Sequence, residues 1–290
     1  MKIHLVDGTY ELFRAHFGAP PKKAPNGVEV GATLGLVRSM MLLLSDPEVT
    51  HVAVAFDHVI ESFRNKMYKG YKSSEGVDPV ILNQFPLAEK AVSALGLATW
   101  SQVKYEADDA IATAVAKFKK AKSVEQIVIC SVDKDLTQIV EGKRVICWDR
   151  RREILLNEKG VVEKFGVRPE SIPDYLALVG DSADGYPGIQ GWGAKSTATV
   201  LAKFKHIESI PKDPKKLPLG LGRATTLVEN LQQNYEDALL FRELSTLRTD
   251  VPLKETLNDL KWQGATPLLK KVCKELGSES ILERVKKWRK

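Results

Sequence analysis

Cysteine is scarce in this 290-residue chain. Cys130, Cys147 and Cys273 are far apart and form no CxxC pair, which argues against both a disulfide framework and a zinc site. Cys130 and Cys147 lie in apolar runs and read as core residues. Long apolar runs are missing too: none approaches the ~18 residues that a membrane span needs. The N-terminus, MKIHLVDGTYELF, has too short an apolar stretch for a secretory leader and carries Asp7 inside it, so a cytoplasmic location is expected. Histidine is sparse: His4, His16, His51, His58 and His206 are scattered and form no catalytic set. No internal repeat is visible.

What is present is an ordinary globular composition, 43% hydrophobic and 28% charged, long enough for one large domain or two small ones. The net charge of +6 favours a polyanionic partner. Short β-branched or apolar runs at 2–6, 51–56, 126–130 and 144–148 read as strands. Helical spacings fill 31–44, 79–95 and 107–120 between them. Strands alternating with helices predict an α/β fold, with a mostly parallel central sheet flanked by helices. Past about residue 169 the strand signal fades, and short helices at 171–179, 194–203, 225–231 and 235–244 follow, separated by Gly and Pro. We therefore divide the chain into an α/β body, 1–168, and a helical region, 169–290. Two stretches read as mobile: the basic, aromatic segment 61–76 and the Pro/Gly-rich loop 212–222. The lysine-rich tail from residue 268 reads as a solvated terminal helix.

Carboxylates recur at strand ends. Asp7 follows the first strand, Asp57 the second, and Asp133 and Asp135 the third, in CSVDKDL. A lone Asp after a strand is usually a turn or cap residue. In a parallel sheet, however, these ends share one edge, where ligands bind. YEADDAI adds Glu106, Asp108 and Asp109 at a helix start, where negative charge also suits the helix dipole. DSADGYPGIQGWGAKST adds Asp181 and Asp184. Crowded carboxylates repel one another, and a hard divalent cation relieves that cost. Many acids without a general-base histidine point to water activated by metal in a phosphodiester hydrolase.

The stretch GIQGWGAKST is not a phosphate-binding loop of the GxxxxGK type, because Ala194 separates Gly193 from Lys195. Nor is it a dinucleotide fingerprint, because Ser196 stands where the third glycine belongs. What remains is a glycine turn feeding a helix N-terminus, able to hold a phosphate with backbone N–H groups and Lys195.

The ordered motifs VDGT, AFD, FRNKMYKGYK, YEADDAIA, SVDKDL, GDSADGYPGIQGWGAKSTATVLAKF and LSTLRTDVPL resemble the 5′ nuclease family. That family includes flap endonucleases and the 5′–3′ exonuclease domain of bacterial DNA polymerase I. The resemblance runs from about residue 2 to 253. It implies a PIN-like body and a metal-dependent 5′–3′ exonuclease and flap endonuclease of DNA replication and repair. Two or three Mg²⁺ or Mn²⁺ ions would be held by Asp7, Asp57, Glu106 and Asp108 in one group and by Asp133, Asp135 and Asp181 in another, with Asp109 and Asp184 nearby. A helix–turn–helix element with Gly188, Gly191, Gly193, Lys195 and Ser196 would grip duplex DNA, with a K⁺ ion at the turn. Segment 61–76 would be the gateway for the 5′ strand, with Arg64 and Lys72 contacting the scissile phosphate. Glu75 departs from the family, which often has Arg there; Lys69 is the basic residue at hand to compensate. The tail lacks the Gln- and aromatic-containing box by which archaeal and eukaryotic flap endonucleases bind a sliding clamp, so a bacterial-type nuclease is expected, either free-standing or an excised domain, monomeric and acting on DNA with a 5′ end or flap. A PIN-like ribonuclease and a non-catalytic DNA-binding scaffold are the alternatives. The first lacks an account of the helix–turn–helix element, and the second of the filled acid positions.

Overall fold

The computed structural model describes every residue except Ala19, Leu219, Leu221 and Lys290. Its elements, in chain order, are β1 (Lys2–Asp7), α1 (Gly8–Gly18), α2 (Gly31–Leu43), β2 (His51–Asp57), α3 (Pro79–Leu82), α4 (Phe85–Ala94), β3 (Ala98–Gln102), α5 (Ala107–Phe118), β4 (Gln126–Cys130), β5 (Val145–Asp149), β6 (Ile154–Leu156), α6 (Glu158–Phe165), α7 (Ile172–Val179), α8 (Ala194–Phe204), α9 (Ala224–Gln233), α10 (Tyr235–Ser245) and α11 (Leu268–Glu275). Short 3₁₀ turns join several of them. The strand order is β3-β2-β1-β4-β5-β6. The chain forms two compact units, Met1–Ser62, Ser74–Ser131 and Thr249–Lys290 in the first, Phe63–Ser73 and Val132–Arg248 in the second.

In the first unit β1 runs parallel to both β2 and β4, with Val6 opposite Val54 on one side and Cys130 on the other. Helices cover a parallel sheet on both faces, so its strands become continuous apolar runs rather than alternating ones. All seven residues of β2 are buried, and so are the last five of β1. Burying each Val, Leu or Ile side chain here contributes roughly 1.5–3 kcal/mol relative to exposure. The predicted helix 79–95 is broken in two. Pro86 has no N–H to donate and its ring crowds the Leu82 carbonyl, so α3 stops and α4 restarts with Pro86 in its first turn. The chain visits β1, β2 and β3 on one side, then crosses to β4. The crevice between β1 and β4 is therefore the point where the strand order reverses, and Asp7 and Ser131 stand at its C-terminal end.

The second unit pairs β5 and β6 as an antiparallel hairpin, with Trp148 opposite Leu155. Asn157 caps α6 through a bond from the Gly160 N–H, and Gly166, at φ 74°, closes it. Buried Asp174 ties α7 to what surrounds it. Its carboxylate accepts from the Ile207 N–H at 3.0 Å and meets His206 Nδ1 at 3.0 Å and Arg242 at 3.3 Å. The loop from Gly180 to Gly193 then joins α7 to α8.

That loop starts with a close crossing of two backbones. A Cβ on Gly188 would lie 2.4 Å from the Gly180 N and 2.6 Å from the Leu178 O, and Gly188 is left-handed at φ 72°. Gly193 differs: its φ is −107° and a Cβ there meets nothing within 4 Å. Gly188→Ala is therefore expected to cost at least about 2 kcal/mol, from strain plus displaced backbone. Gly193→Ala, at a helix N-cap, is expected to cost less than about 1 kcal/mol. Urea melts of the two variants check this; equal losses would contradict the crossing.

Candidate metal centre

In the first unit the strand-end acids are buried and shaped by backbone donors. Asp7 Oδ1 accepts from the Tyr10 N–H at 2.8 Å, at the start of α1, and Oδ2 from the Ser131 hydroxyl at 2.9 Å. Asp57 Oδ1 accepts from the Ala107 N–H at 2.7 Å, which ties the end of β2 to the start of α5. Glu106 is the N-cap of α5. It forms a capping box with Asp109, whose Oδ2 takes the Glu106 N–H at 3.0 Å, and its own Oε1 accepts from Ser62 at 2.7 Å. Asp109 is fully buried and does helix-capping work; Asp108, half-buried one residue earlier, is the α5 acid less enclosed by the fold.

The second unit brings three carboxylates together. One oxygen each from Asp135, Asp181 and Asp184 lies within 4.8 Å of the others. Asp181 and Asp184 belong to a tight hairpin. Asp181 pairs with Tyr186 through backbone bonds in both directions, the Gly185 N–H reaches the Asp181 carbonyl at 2.8 Å, and Asp181 Oδ1 holds the Ala183 N–H. Beneath it Tyr186 stacks on Phe241, ring centroids 5.4 Å apart. Asp135 opens the turn after Val132, while exposed Asp133 caps that turn by accepting the Asp135 N–H at 2.8 Å. Asp135 Oδ1 is buried with no hydrogen-bond partner among the described residues. Burial, then the charges of Asp133, Asp184 and Asp181, push its carboxyl well above the usual range. Burial, reinforced by Asp135, likewise pushes the Tyr186 hydroxyl up.

Such a cluster needs positive charge. Part of it comes from Lys134, a residue the sequence reading passed over although it lies inside SVDKDL. Its Nζ is 2.7 Å from Asp181 Oδ2, and Asp181 is only 3% exposed. Burial alone would lower the pKa of this ammonium, but Asp181, Asp135 and Asp133 hold it above its ordinary value. Hard oxygen donors, an orphaned buried oxygen and a raised carboxyl pKa fit a divalent cation better than they fit solvent.

The predicted basic pair divides. Lys72 faces the acids, its Nζ 3.5 Å from Asp184 Oδ1. Its segment is pinned there: the Lys72 N–H donates to the Asp184 carbonyl at 2.9 Å, Tyr71 Oη reaches Asp184 Oδ2 at 3.3 Å, and a Cβ on Gly185 would lie 2.1 Å from the Gly70 carbonyl. The stretch read as mobile is therefore tied down over residues 70–72. Arg64 is placed differently. It is 1% exposed, and its Nε and Nη2 donate to the Leu244 and Thr246 carbonyls at 2.7 and 3.0 Å. A guanidinium engaged in this way braces the segment rather than offering itself to a phosphate. Lys66 and Lys69 are the exposed cations of the segment.

The glycine turn stands on α9. The Trp192 indole N–H donates to the Leu227 carbonyl at 3.0 Å, and Asn230 donates to the Gln190 carbonyl at 2.7 Å. Gly191 (φ 86°), Gly193 and Lys195 are exposed. The Ser196 hydroxyl accepts the Gly193 N–H at 3.1 Å and donates to the Gly193 carbonyl at 3.0 Å, so it closes the helix start. The loop 212–222 includes Leu219 and Leu221, which lie outside the described residues.

Comparison with known proteins identifies relatives over nearly the whole length of the chain. A family model described as a 5′-3′ exonuclease N-terminal resolvase-like domain matches residues 2–166, and one described as a 5′-3′ exonuclease C-terminal SAM fold matches residues 167–267. A 5′-3′ exonuclease of Aquifex aeolicus is 32% identical over 286 residues, covering 98% of this chain and 95% of its own length. DNA polymerase I of Bacillus subtilis is 32% identical over 289 residues, 98% of this chain but 32% of its own, so this chain spans about a third of that protein. Among solved structures, T5 5′-exonuclease with bound zinc superposes with a TM-score of 0.65 at 20% identity, over 84% of this chain and 89% of its own. The catalytic core of Rad2 in complex with DNA substrate does so at 0.60 and 13%, over 98% and 91%. At those identities the likeness establishes the fold, a mostly parallel sheet flanked by helices with a helical SAM-like region. Two family models matched in order, and an exonuclease relative matched over nearly its whole length, place the chain in the 5′-3′ exonuclease family.

Proposed function

We propose that the chain is a structure-selective, metal-dependent 5′ nuclease that hydrolyses DNA at a 5′ end or flap, with Mg²⁺ or Mn²⁺ as its cations. The observation that carries this reading is the trio of buried Asp135 and Asp181 with half-buried Asp184, one oxygen of each lying within 4.8 Å of the others. Asp133 borders that group. Asp7, Asp57, Glu106 and Asp108 make the second, on the first unit's sheet edge. A divalent cation bound by such groups would polarise a phosphoryl oxygen and lower the pKa of water beside it. The side chains themselves hold the cations' charge, and Lys72 offers an ammonium to the phosphate. We assign residues 1–168 to the nuclease body, with a gateway at about 61–76, and residues 169–290 to duplex binding. In that region the exposed turn of Gly191, Gly193 and Lys195 takes a backbone phosphate, with K⁺ as a further ligand of the turn. A monomer serving replication and repair in the cytoplasm fits this chemistry, and no described helix is long and apolar enough to cross a membrane.

A labelled 5′-flap DNA tests the reading. Cleavage is expected with Mg²⁺ or Mn²⁺ and not in EDTA, and Ca²⁺, with its looser coordination, is expected to inhibit. Asp135→Asn and Asp181→Ala are expected to lose at least about 100-fold in kcat while DNA affinity stays within a few-fold, because phosphate contacts elsewhere supply it. Asp135→Asn removes a repelling buried charge, so its metal-free Tm is expected to equal or exceed that of the wild type. Full activity in EDTA, or preferential cleavage of an RNA flap, would contradict the proposal.

Lys134 gives a second test. A cation that takes Asp181 Oδ2 competes with the Lys134 ammonium. Lys134→Met should therefore destabilise the metal-free protein by roughly 1–3 kcal/mol, because Asp181 loses its partner. It should also enlarge the rise in Tm that Mg²⁺ produces. Melting curves with and without Mg²⁺ decide this; the same rise in both proteins would show that Lys134 and the cation do not compete.

A further inference from the structure

The first unit has a concave feature at the sheet edge where the strands begin. An open cavity of about 340 Å³ is enclosed by the last turns of α2, the end of α4 and the segment after α11. Its place in the fold is fixed by two bonds. The Trp262 N–H donates to the Thr50 carbonyl just before β2, and the Trp262 indole N–H donates to the Leu95 carbonyl just before β3, each at 2.8 Å. The acids Asp7 and Asp57 lie at the opposite, C-terminal ends of the same strands, so this cavity is no part of the proposed metal centre.

Its chemistry is two-sided. The floor is apolar, built from Leu42, Leu95, Trp262 and Val285, and Leu42 stays 71% exposed although the helix around it is apolar. The rim is cationic: Arg38, Arg284 and Lys286 line it, all three are exposed, and no carboxylate does. Among the described residues none of these three cations forms an ion pair. The Lys287 ammonium adds further positive charge, 5.8 Å from the Trp262 ring. A concave apolar site with a few convergent charges suits a ligand that is apolar at its centre and acidic at its flanks. A nucleic-acid backbone would use the cations and leave the aliphatic floor uncovered. A second copy of this chain would bring a net charge of +6 towards a rim of the same sign.

We propose that this cavity docks a short acidic segment of a partner protein. One large apolar side chain enters against Leu42, Leu95 and Trp262, while Asp or Glu residues on either side pair with Arg38, Arg284 and Lys286. The proposal does not depend on the nuclease reading.

Fluorescence polarisation with the full chain tests it, using a labelled ten-residue peptide of Asp and Glu around a central Leu-Phe pair. Two control peptides replace the pair with Ser-Ser or the acids with Lys, and a ten-nucleotide thymidine oligomer is the nucleic-acid control. The acidic Leu-Phe peptide is expected to bind at least about tenfold more tightly than either control peptide, with a salt dependence set by the rim charges. Arg38→Glu combined with Arg284→Glu is expected to weaken it at least about tenfold, with Tm and flap cleavage unchanged. Leu42→Ser should weaken it without altering the charge of the rim. The proposal is overturned if the peptide fails to bind by about 1 mM, or if it binds wild type and the charge-reversed variant alike. Binding of the oligomer alone, lost on charge reversal, would make the cavity a nucleic-acid contact instead.

Discussion

Like charges held close together in a buried place are the constraint on which this structure turns. Asp135 is enclosed, Asp181 nearly so, and Asp184 stands beside them, each with an oxygen within 4.8 Å of the others. In a medium that screens poorly, such carboxylates cannot all stay ionised without a counter-charge. The chain supplies part of it through Lys134 at 2.7 Å and Lys72 at 3.5 Å. Two ammonium groups on flexible stems balance the charge incompletely, as the raised carboxyl pKa of Asp135 and its orphaned oxygen indicate. A compact divalent cation with oxygen preference would complete the balance. The same pressure that makes the cluster costly to fold makes it a good ligand set.

Holding repelling groups in place requires a stiff frame, and the local structure around the trio is stiff for identifiable reasons. Asp181 and Asp184 are carried by a backbone-paired hairpin whose Tyr186 is stacked on Phe241. The Gly180–Gly188 crossing is too close for any side chain, so the hairpin leaves α7 along one path only. The segment carrying Lys72 is bonded directly to Asp184. In the other unit the strand-end acids are fixed differently, by the N-termini of α1 and α5 and by the hydroxyls of Ser62 and Ser131.

Much of this was legible in the sequence. The apolar runs that became β1, β2, β4 and β5 are short, β-branched and bounded by polar residues, and the ends of the first three carried acids. The glycine spacing marked the turn before α8. What escaped was what depends on distant partners. β3, ATWSQ, is a half-buried outer strand with little β-branching, and β6 is three mostly exposed residues; neither has a pattern of its own. α1 begins and ends in glycine, which hides its helical spacing. Arg64 sits among basic residues and looked like a phosphate contact, yet its carbonyl partners lie some 180 residues away. Lys134 was in plain view between two aspartates, but its ion pair with Asp181 exists only once the chain is folded. Asp109 and Ser196 carried the types expected of ligands and turned out to close helix starts, the commoner use of such residues at those positions.

The most direct test of the central claim is the position of a metal in a crystal of the protein. Crystals soaked in Mn²⁺ and measured at the manganese absorption edge are predicted to show an anomalous peak within about 2.5 Å of carboxylate oxygens from Asp135, Asp181 and Asp184. The Lys134 ammonium should have moved off Asp181. No peak at saturating Mn²⁺, with Lys134 still bonded to Asp181, would contradict the account: the lysines would then be the final counter-charge, and the acids would not be a metal site.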